Sequence, residues 1–443
     1  MRILRNLIGT ITMKRHLILD LPILPPPTYW QQLAKHAMTG GPWFVVMTRF
    51  LLALLLFWSP ARAAAQNDQS SLGTELPLRD FRPESQLRVP KTNVQQAKFW
   101  AVDVHTHFLF RQRHNRQALA DFVELMDRNR IAICCSMDGK LGPDLQQHRQ
   151  FLWAEHEDRF LIFAHLDWQG DGNTNDSATW ACNRPGFVSR TVQRLRQAHA
   201  EGVAGLKIFK GLGLEYRDAQ GRLLRVDDPR WDPIWKTCGE LGIPVLMHTA
   251  DPAAFFLPID ATNERWEELN RRPEWSFHNH APDGDYPDRN ALLAARNRVV
   301  AKHPKTNFIG AHLAESGEDL QRLRQWLDRY PNLYVDFASR INELGRQPYT
   351  AREFLVDYAD RALFGTDGPW PEIRIRYYWR FLETRDQYFP YSEKEFPPQG
   401  FWQIYGVYLP DEVLSKIYFE NAAHIIPGVA ARLRNLGVTP LTE

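Results

Sequence analysis

Val102-Asp103-Val104-His105-Thr106-His107 is an apolar run that closes on two histidines one residue apart. It reads as a β-strand, and in a strand alternate side chains share a face. His105 and His107 therefore point the same way from a strand end and together can hold one metal ion. What the run implies for the whole chain depends on whether other ligands arrive in the same manner.

They do, each at the end of its own apolar run. The stretch 243–247 ends in His248, 308–311 in His312 and 362–366 in Asp367, and 203–206 runs into Lys207. Any one of these alone is more often a hydrogen-bonded core or loop residue. Several in one order, each after a strand-like run and before a helix-like one, are hard to obtain by accident.

Eight strand-like segments follow one another at 99–104, 131–136, 160–166, 203–209, 243–248, 307–312, 333–337 and 362–366. Helix-like stretches lie between them, for example 117–127, 188–199, 289–302 and 320–329, with charge on one face and Leu, Ala or Val on the other. Eight such units predict an α/β fold, a (β/α)8 TIM barrel, whose chemistry sits at the C-terminal ends of its strands. Long, aromatic-rich connections follow strands 5 and 8, at 249–288 and 368–409. On that face such loops shape specificity.

With 443 residues, 44% hydrophobic and 24% charged, the chain can bury a large core. A net charge of +2 and no basic stripe exclude a nucleic-acid partner and leave a small-molecule substrate as the expected one. Oligomeric state stays open, and a homo-oligomer is compatible with the composition. Residues 47–65 have the order of a secretory signal peptide: a basic start at Met47-Thr48-Arg49, an apolar stretch to Trp58, then small residues around Ala61 and Ala63. The apolar stretch is too short to span a bilayer, so no stable membrane anchor is expected, and the location implied is periplasmic or secreted. Residues 1–46 precede an otherwise complete signal, which raises the expectation that translation starts at Met47. A linker over 66–95 and a barrel over 96–443 complete the division. Cys134 and Cys135 read as core residues, while Cys182 and Cys238 could pair in an oxidising compartment.

As a set, His105-Thr106-His107, Gly205-Leu206-Lys207, Met247-His248, Ala311-His312 and Gly365-Thr366-Asp367, with a closing Asn421-Ala422-Ala423, resemble the amidohydrolase superfamily. The likeness is to its amidohydrolase-related group, which includes hydrolases, lactonases and the aminocarboxymuconate semialdehyde decarboxylase type, and it spans about 98–430. It implies that His105, His107, His248 and Asp367 hold a divalent metal. Zinc is preferred, with manganese or iron also suited to such donors. It further implies that Asp367 shuttles a proton and that His312 orients water or stabilises charge on the substrate oxygen. Lys207 stands where binuclear members carry a carboxylated lysine bridging two ions, although the related group often keeps an unmodified lysine beside one. One ion is favoured, with Lys207 facing the substrate; two follow if Lys207 is carboxylated.

Arg340 is a candidate grip for an anionic substrate, and Phe108 and Trp370 are candidates for an aromatic wall around a planar carbonyl or carboxyl compound. Asp103 is expected to make a structural hydrogen bond. His278 and His280 are read as lid residues. The implied activity is an exported metal-dependent hydrolase cleaving an amide, ester or lactone. The alternative is a non-oxidative decarboxylase of a small aromatic or unsaturated acid. Many phenolic-acid decarboxylases of the group carry Glu at the position of His105, which favours hydrolysis or the semialdehyde decarboxylase subtype.

Overall fold

The computed structural model describes residues 76–438 apart from 78, 79, 82 and 279–285. The signal-like stretch 47–65, the segment before it, most of the first half of the linker and His280 lie outside these residues. The chain divides into two units between Gln86 and Leu87. Of the first, the described residues include a 3-10 turn at Asp80, whose N donates to Pro77 O, and are otherwise without strand or helix. The second carries everything described below.

Eight parallel strands form one sheet in sequence order. They are β1 (Ala101–Thr106), β2 (Ile131–Lys140), β3 (Phe160–His165), β4 (Gly205–Ile208), β5 (Val245–Met247), β6 (Phe308–Gly310), β7 (Leu333–Asp336) and β8 (Ala362–Leu363). The principal helices lie between and after them: α1 (Arg116–Asn129), α2 (Pro143–His156), α3 (Phe187–Ala200), α4 (Asp232–Leu241), α5 (Arg289–Lys302), α6 (Leu320–Arg329), α7 (Pro348–Asp357) and α8 (Glu372–Glu383). The sheet closes where β1 meets the end of β8: Val104 N donates to Phe364 O, Asp367 N to His105 O and His107 N to Gly368 O. The expected TIM barrel is therefore present, and its strands are Val-, Ile- and Leu-rich because helices cover a parallel sheet from outside.

Local chemistry explains the helix limits. Asn115 caps α1 by accepting from Ala118 N, Asp288 caps α5 by accepting from Asn290 N and Ala291 N, and Asp319 caps α6 through Arg322 N. Gly242, in the left-handed conformation, ends α4. The stretch 368–409, expected as one long loop, contains α8. That helix buries Ile375, Tyr378, Trp379, Phe381 and Leu382, so much of the aromatic content there fills core. Within the stretch read as linker Thr92 is held on the barrel, donating to Asp386 through N and Oγ1, and just beyond it Lys98 N donates to Glu383. All four cysteines are buried free thiols, so the pairing of Cys182 with Cys238 is not formed. Among the described residues no helix is long and apolar enough to cross a membrane.

Candidate metal centre and catalytic site

The end of β1 sets the first two donors. His105 is fully buried, with Nδ1 3.1 Å from Asp336 Oδ2 and Nε2 3.0 Å from Lys207 Nζ. A carboxylate only accepts, so Nδ1 carries the proton and Nε2 presents its lone pair inward. His107 repeats the arrangement: Nδ1 lies 2.7 Å from Asp138 Oδ1, at the end of β2. Burial alone would raise the Asp138 carboxyl, but the bond and charge of His107 outweigh it and hold the group below its ordinary value. His312 follows the same rule with a carbonyl, its Nδ1 2.8 Å from Ala338 O. Three imidazoles thus have Nδ1 tied down and Nε2 turned inward, that of His105 against Lys207 Nζ. Metal-binding histidines are commonly oriented in this way.

Asp367 sits just past β8 in a left-handed backbone conformation (φ 63°). Its Oδ1 lies 3.4 Å from His107 Nε2 and 4.0 Å from His105 Nε2, while Ser339 Oγ donates to Oδ2 at 3.2 Å. Burial pushes its pKa up, yet His107, His105 and Arg111 outweigh that and lower it, so the carboxylate is ionised. His105, His107 and Asp367 offer donor atoms all within 4.8 Å of one another. Two imidazole Nε2 atoms and one carboxylate oxygen fit a divalent ion. Lys207 is fully buried against the first of these nitrogens, not exposed at the barrel mouth, and burial lowers its pKa to about 8. Nε2 of His105 has one lone pair, so this lysine bond and a bound ion are alternatives.

His248 does not join that trio. Its Nε2 lies 3.1 Å from Glu315 Oε1 and 3.5 Å from Asp251 Oδ1. Burial opposes a charge on this imidazole, but Asp251 and Glu315 outweigh it and raise its pKa. The contact with Glu315 is too poorly aligned for a hydrogen bond, and both atoms are buried with no hydrogen-bond partner. With His312 these atoms form a second converging donor set, His248, His312 and Glu315. The four expected ligands are therefore divided between two adjacent clusters that meet at His312, whose ring centroid is 4.9 Å from that of His105 and 4.6 Å from that of His248.

Glu315 is absent from the sequence reading. It reaches the site because the chain after β6 makes a left-handed turn: His312, Leu313, Ala314 and Glu315 have φ of 56°, 59°, 52° and 53°. Each such residue costs roughly 1–2 kcal/mol for an L-amino acid. Surrounding contacts must hold the turn. Asp336 Oδ1 accepts from His312 N, Ala338 O from His312 Nδ1, and Arg340 Nη2 donates to Glu315 Oε2 at 2.8 Å. Gly310 allows the fold-back, since a Cβ there would meet Ala314 Cβ at 2.5 Å. Asp103, as expected, serves structure: it accepts from His105 N, Thr366 N and Thr366 Oγ1.

Three expected substrate contacts are placed differently. Arg340 is buried, with its guanidinium engaged by Glu315 Oε2 and Ser339 O, because an ion in the interior needs a partner there. Phe108 is fully buried, edge-on to Phe122 and Phe160 at 5.4 and 5.0 Å, so it belongs to the core and not to a substrate wall. Trp370 is half-buried with Nε1 donating to Thr366 O. The guanidinium carbons of Arg111 and Arg374 lie 3.7 and 4.1 Å from its ring centre. Phe255 is buried and stacked on the partly exposed Trp275, and His278 is exposed in the same connection.

Solved structures with a similar barrel include a TIM-barrel protein of Bordetella bronchiseptica, at 15% identity over 74% of this chain and 99% of that one with a TM-score of 0.43. Others are a 2,6-dihydroxybenzoate decarboxylase from Rhizobium (18%, 74% and 98%, 0.42) and an amidohydrolase from Burkholderia multivorans with bound HEPES (12%, 74% and 98%, 0.41). Likeness this distant bears on neither reaction nor substrate. The sequence profile of the family described as Amidohydrolase matches residues 102–427, from the first strand through the last helical segments, and so takes in every donor described above. With that match over most of its length, the chain belongs to the amidohydrolase family.

Proposed function

We propose that this protein is an exported metal-dependent hydrolase that activates water against an amide, ester or lactone bond of a small molecule. Export rests on the signal-like order of residues 47–65 alone. The observation that carries the hydrolytic reading is the tautomer pattern: His105, His107 and His312 each have Nδ1 spent on a fixed acceptor and Nε2 facing inward, beside an ionised Asp367. His105, His107 and Asp367 would hold the ion, with His248 the fourth expected donor, and zinc suits this set best. A bound divalent ion supplies a lowered pKa for water and polarisation of the carbonyl.

The chain's own groups divide the remaining work. Asp367, with Oδ1 facing the two imidazoles and Oδ2 accepting from Ser339 Oγ, would take a proton from water and return it to the leaving group. His312 is neutral, because burial together with His248 and Arg340 keeps its pKa well below the ordinary value. Its bare Nε2 accepts a hydrogen bond, so it orients water; it has no proton there to stabilise a substrate oxyanion.

Non-oxidative decarboxylation remains the second reading, favoured by the paired Glu315 and His248, which together can keep a proton buried beside the site. Turnover of zinc-reconstituted protein against lactones, aryl esters, amides and phenolic acids decides between them. Product acid without carbon dioxide supports hydrolysis; carbon dioxide from a phenolic acid replaces it with the lyase.

A further inference from the structure

Arg296, on α5, is buried and donates only to neutral oxygens. Nη1 reaches Ala314 O at 2.7 Å, while Nε and Nη2 reach Asn297 Oδ1 at 3.1 and 2.9 Å. Its guanidinium lies 4.6 Å from the centre of the Trp326 ring. A buried cation whose hydrogen bonds include no carboxylate is costly and calls for a reason. Burial lowers its pKa to about 9, with the charge of Glu315 acting the other way.

The reason lies in what it touches. Ala314 is the third of the four left-handed residues, with His312 two positions before it and Glu315 directly after. Arg289 donates to the next carbonyl, Glu315 O, but is shared with Asp251 O and Glu318. Arg296 has no such second duty beyond the neighbouring Asn297. We infer that Arg296 is a positioning residue, which holds Ala314 O so that the left-handed turn keeps His312 and Glu315 turned into the barrel mouth.

The consequence for catalysis rests on the reading of His312 as a working group of the site; the clamp itself does not. The test therefore has two arms on zinc-loaded full-length protein. In the first, long-range proton–nitrogen spectra of chain labelled with 15N-histidine report the His312 tautomer, assigned by the signal that disappears in His312→Gln. Wild type should give one Nδ1-protonated imidazole bonded to Ala338 O. Arg296→Met should turn it into an averaged pair, Arg296→Lys should keep most of it, and Trp326→Leu, which leaves both hydrogen-bond acceptors in place, should not change it. In the second arm, with dihydrocoumarin as probe lactone, Arg296→Met should lower kcat at least tenfold with KM within threefold and zinc content unchanged.

A pure Nδ1 tautomer retained in Arg296→Met overturns the clamp. Tautomer loss with unchanged kcat overturns its role in positioning the site. Should Arg296→Met fail to fold, Arg296→Gln, too short to reach Ala314 O, must give the same tautomer loss, and a pure Nδ1 tautomer retained in it overturns the inference. If wild type leaves dihydrocoumarin intact, the lactonase reading fails while the tautomer arm still decides the clamp.

Discussion

Arg340 Nη2 donates to Glu315 Oε2 at 2.8 Å with both side chains buried. Such a pair is expensive to break from one side, because the survivor is an uncompensated buried charge. Glu315→Gln and Arg340→Met should each lower stability by about 3–5 kcal/mol. The double variant should lose much less than their sum, read by urea unfolding as a coupling in a double-mutant cycle. Additive losses would show that the two side chains are not coupled.

Metal loading gives the second expectation. His105→Ala and Asp367→Ala should both lose the ion, while far-UV circular dichroism stays that of the wild type, since neither residue lies in a helix. Elemental analysis near one ion per chain and an unmodified Lys207 by mass spectrometry would support the mononuclear site. Two ions and the added mass of a carboxylate on Lys207 would establish the binuclear one, with His248, His312 and Glu315 as the second donor set.

His148 on α2 provides a pH signature away from these ligands. It is buried between Ser136 Oγ and His114, at 2.8 and 3.0 Å, and burial lowers its pKa from 6.5 to about 4. Between these values the unfolded chain binds more protons than the folded one, so stability rises with pH across the window and is lost on acidification. The full loss is on the order of 3 kcal/mol by pH 4. In His148→Gln the slope of unfolding free energy against pH from 6.5 to 4 should flatten; an unchanged slope would assign the acid sensitivity to other groups.

Phe108 and Trp370, both expected to meet substrate, should separate in their effects. Phe108→Ala empties a core position and should cost about 3–5 kcal/mol with KM unchanged on the surviving folded protein. Trp370→Ala releases Arg111, whose Nη2 holds Asp367 O at 2.8 Å, so it should lower kcat more than it lowers the melting temperature. A rise in KM alone for Trp370→Ala would instead show that the ring contacts substrate.

The barrel was legible in the sequence because each strand is an apolar run and each of its chemical residues comes at the run's end. His105, His107, His312, Lys207 and Asp367 all lie where that rule puts them. What escaped was set by backbone conformation and by partners remote in sequence. Glu315 follows His312 by three positions, but no periodicity announces a left-handed turn that brings both inward. Asp138 closes an apolar strand as the histidines do, yet only its contact with His107, 31 positions earlier, shows its role. Arg340 reads as an exposed cation until Glu315, 25 positions before it, is seen to be buried beside it. Phe108 directly follows a candidate ligand, and one residue of helical rotation carries it into the core.

The seam between β1 and β8 joins Asp103 to Thr366 across 263 positions and Asp367 N to His105 O. Two donors of the candidate ion thus stand on opposite sides of the joint that completes the barrel. A chain emerging from the ribosome can build most of its strands and helices and still have no place for the ion, because that place comes into being only when the two ends of the barrel meet. Ion uptake is therefore a gauge of finished closure: partly assembled chains should look folded by helix content yet stay empty, and a cut that frees β8 should empty the protein before it melts it.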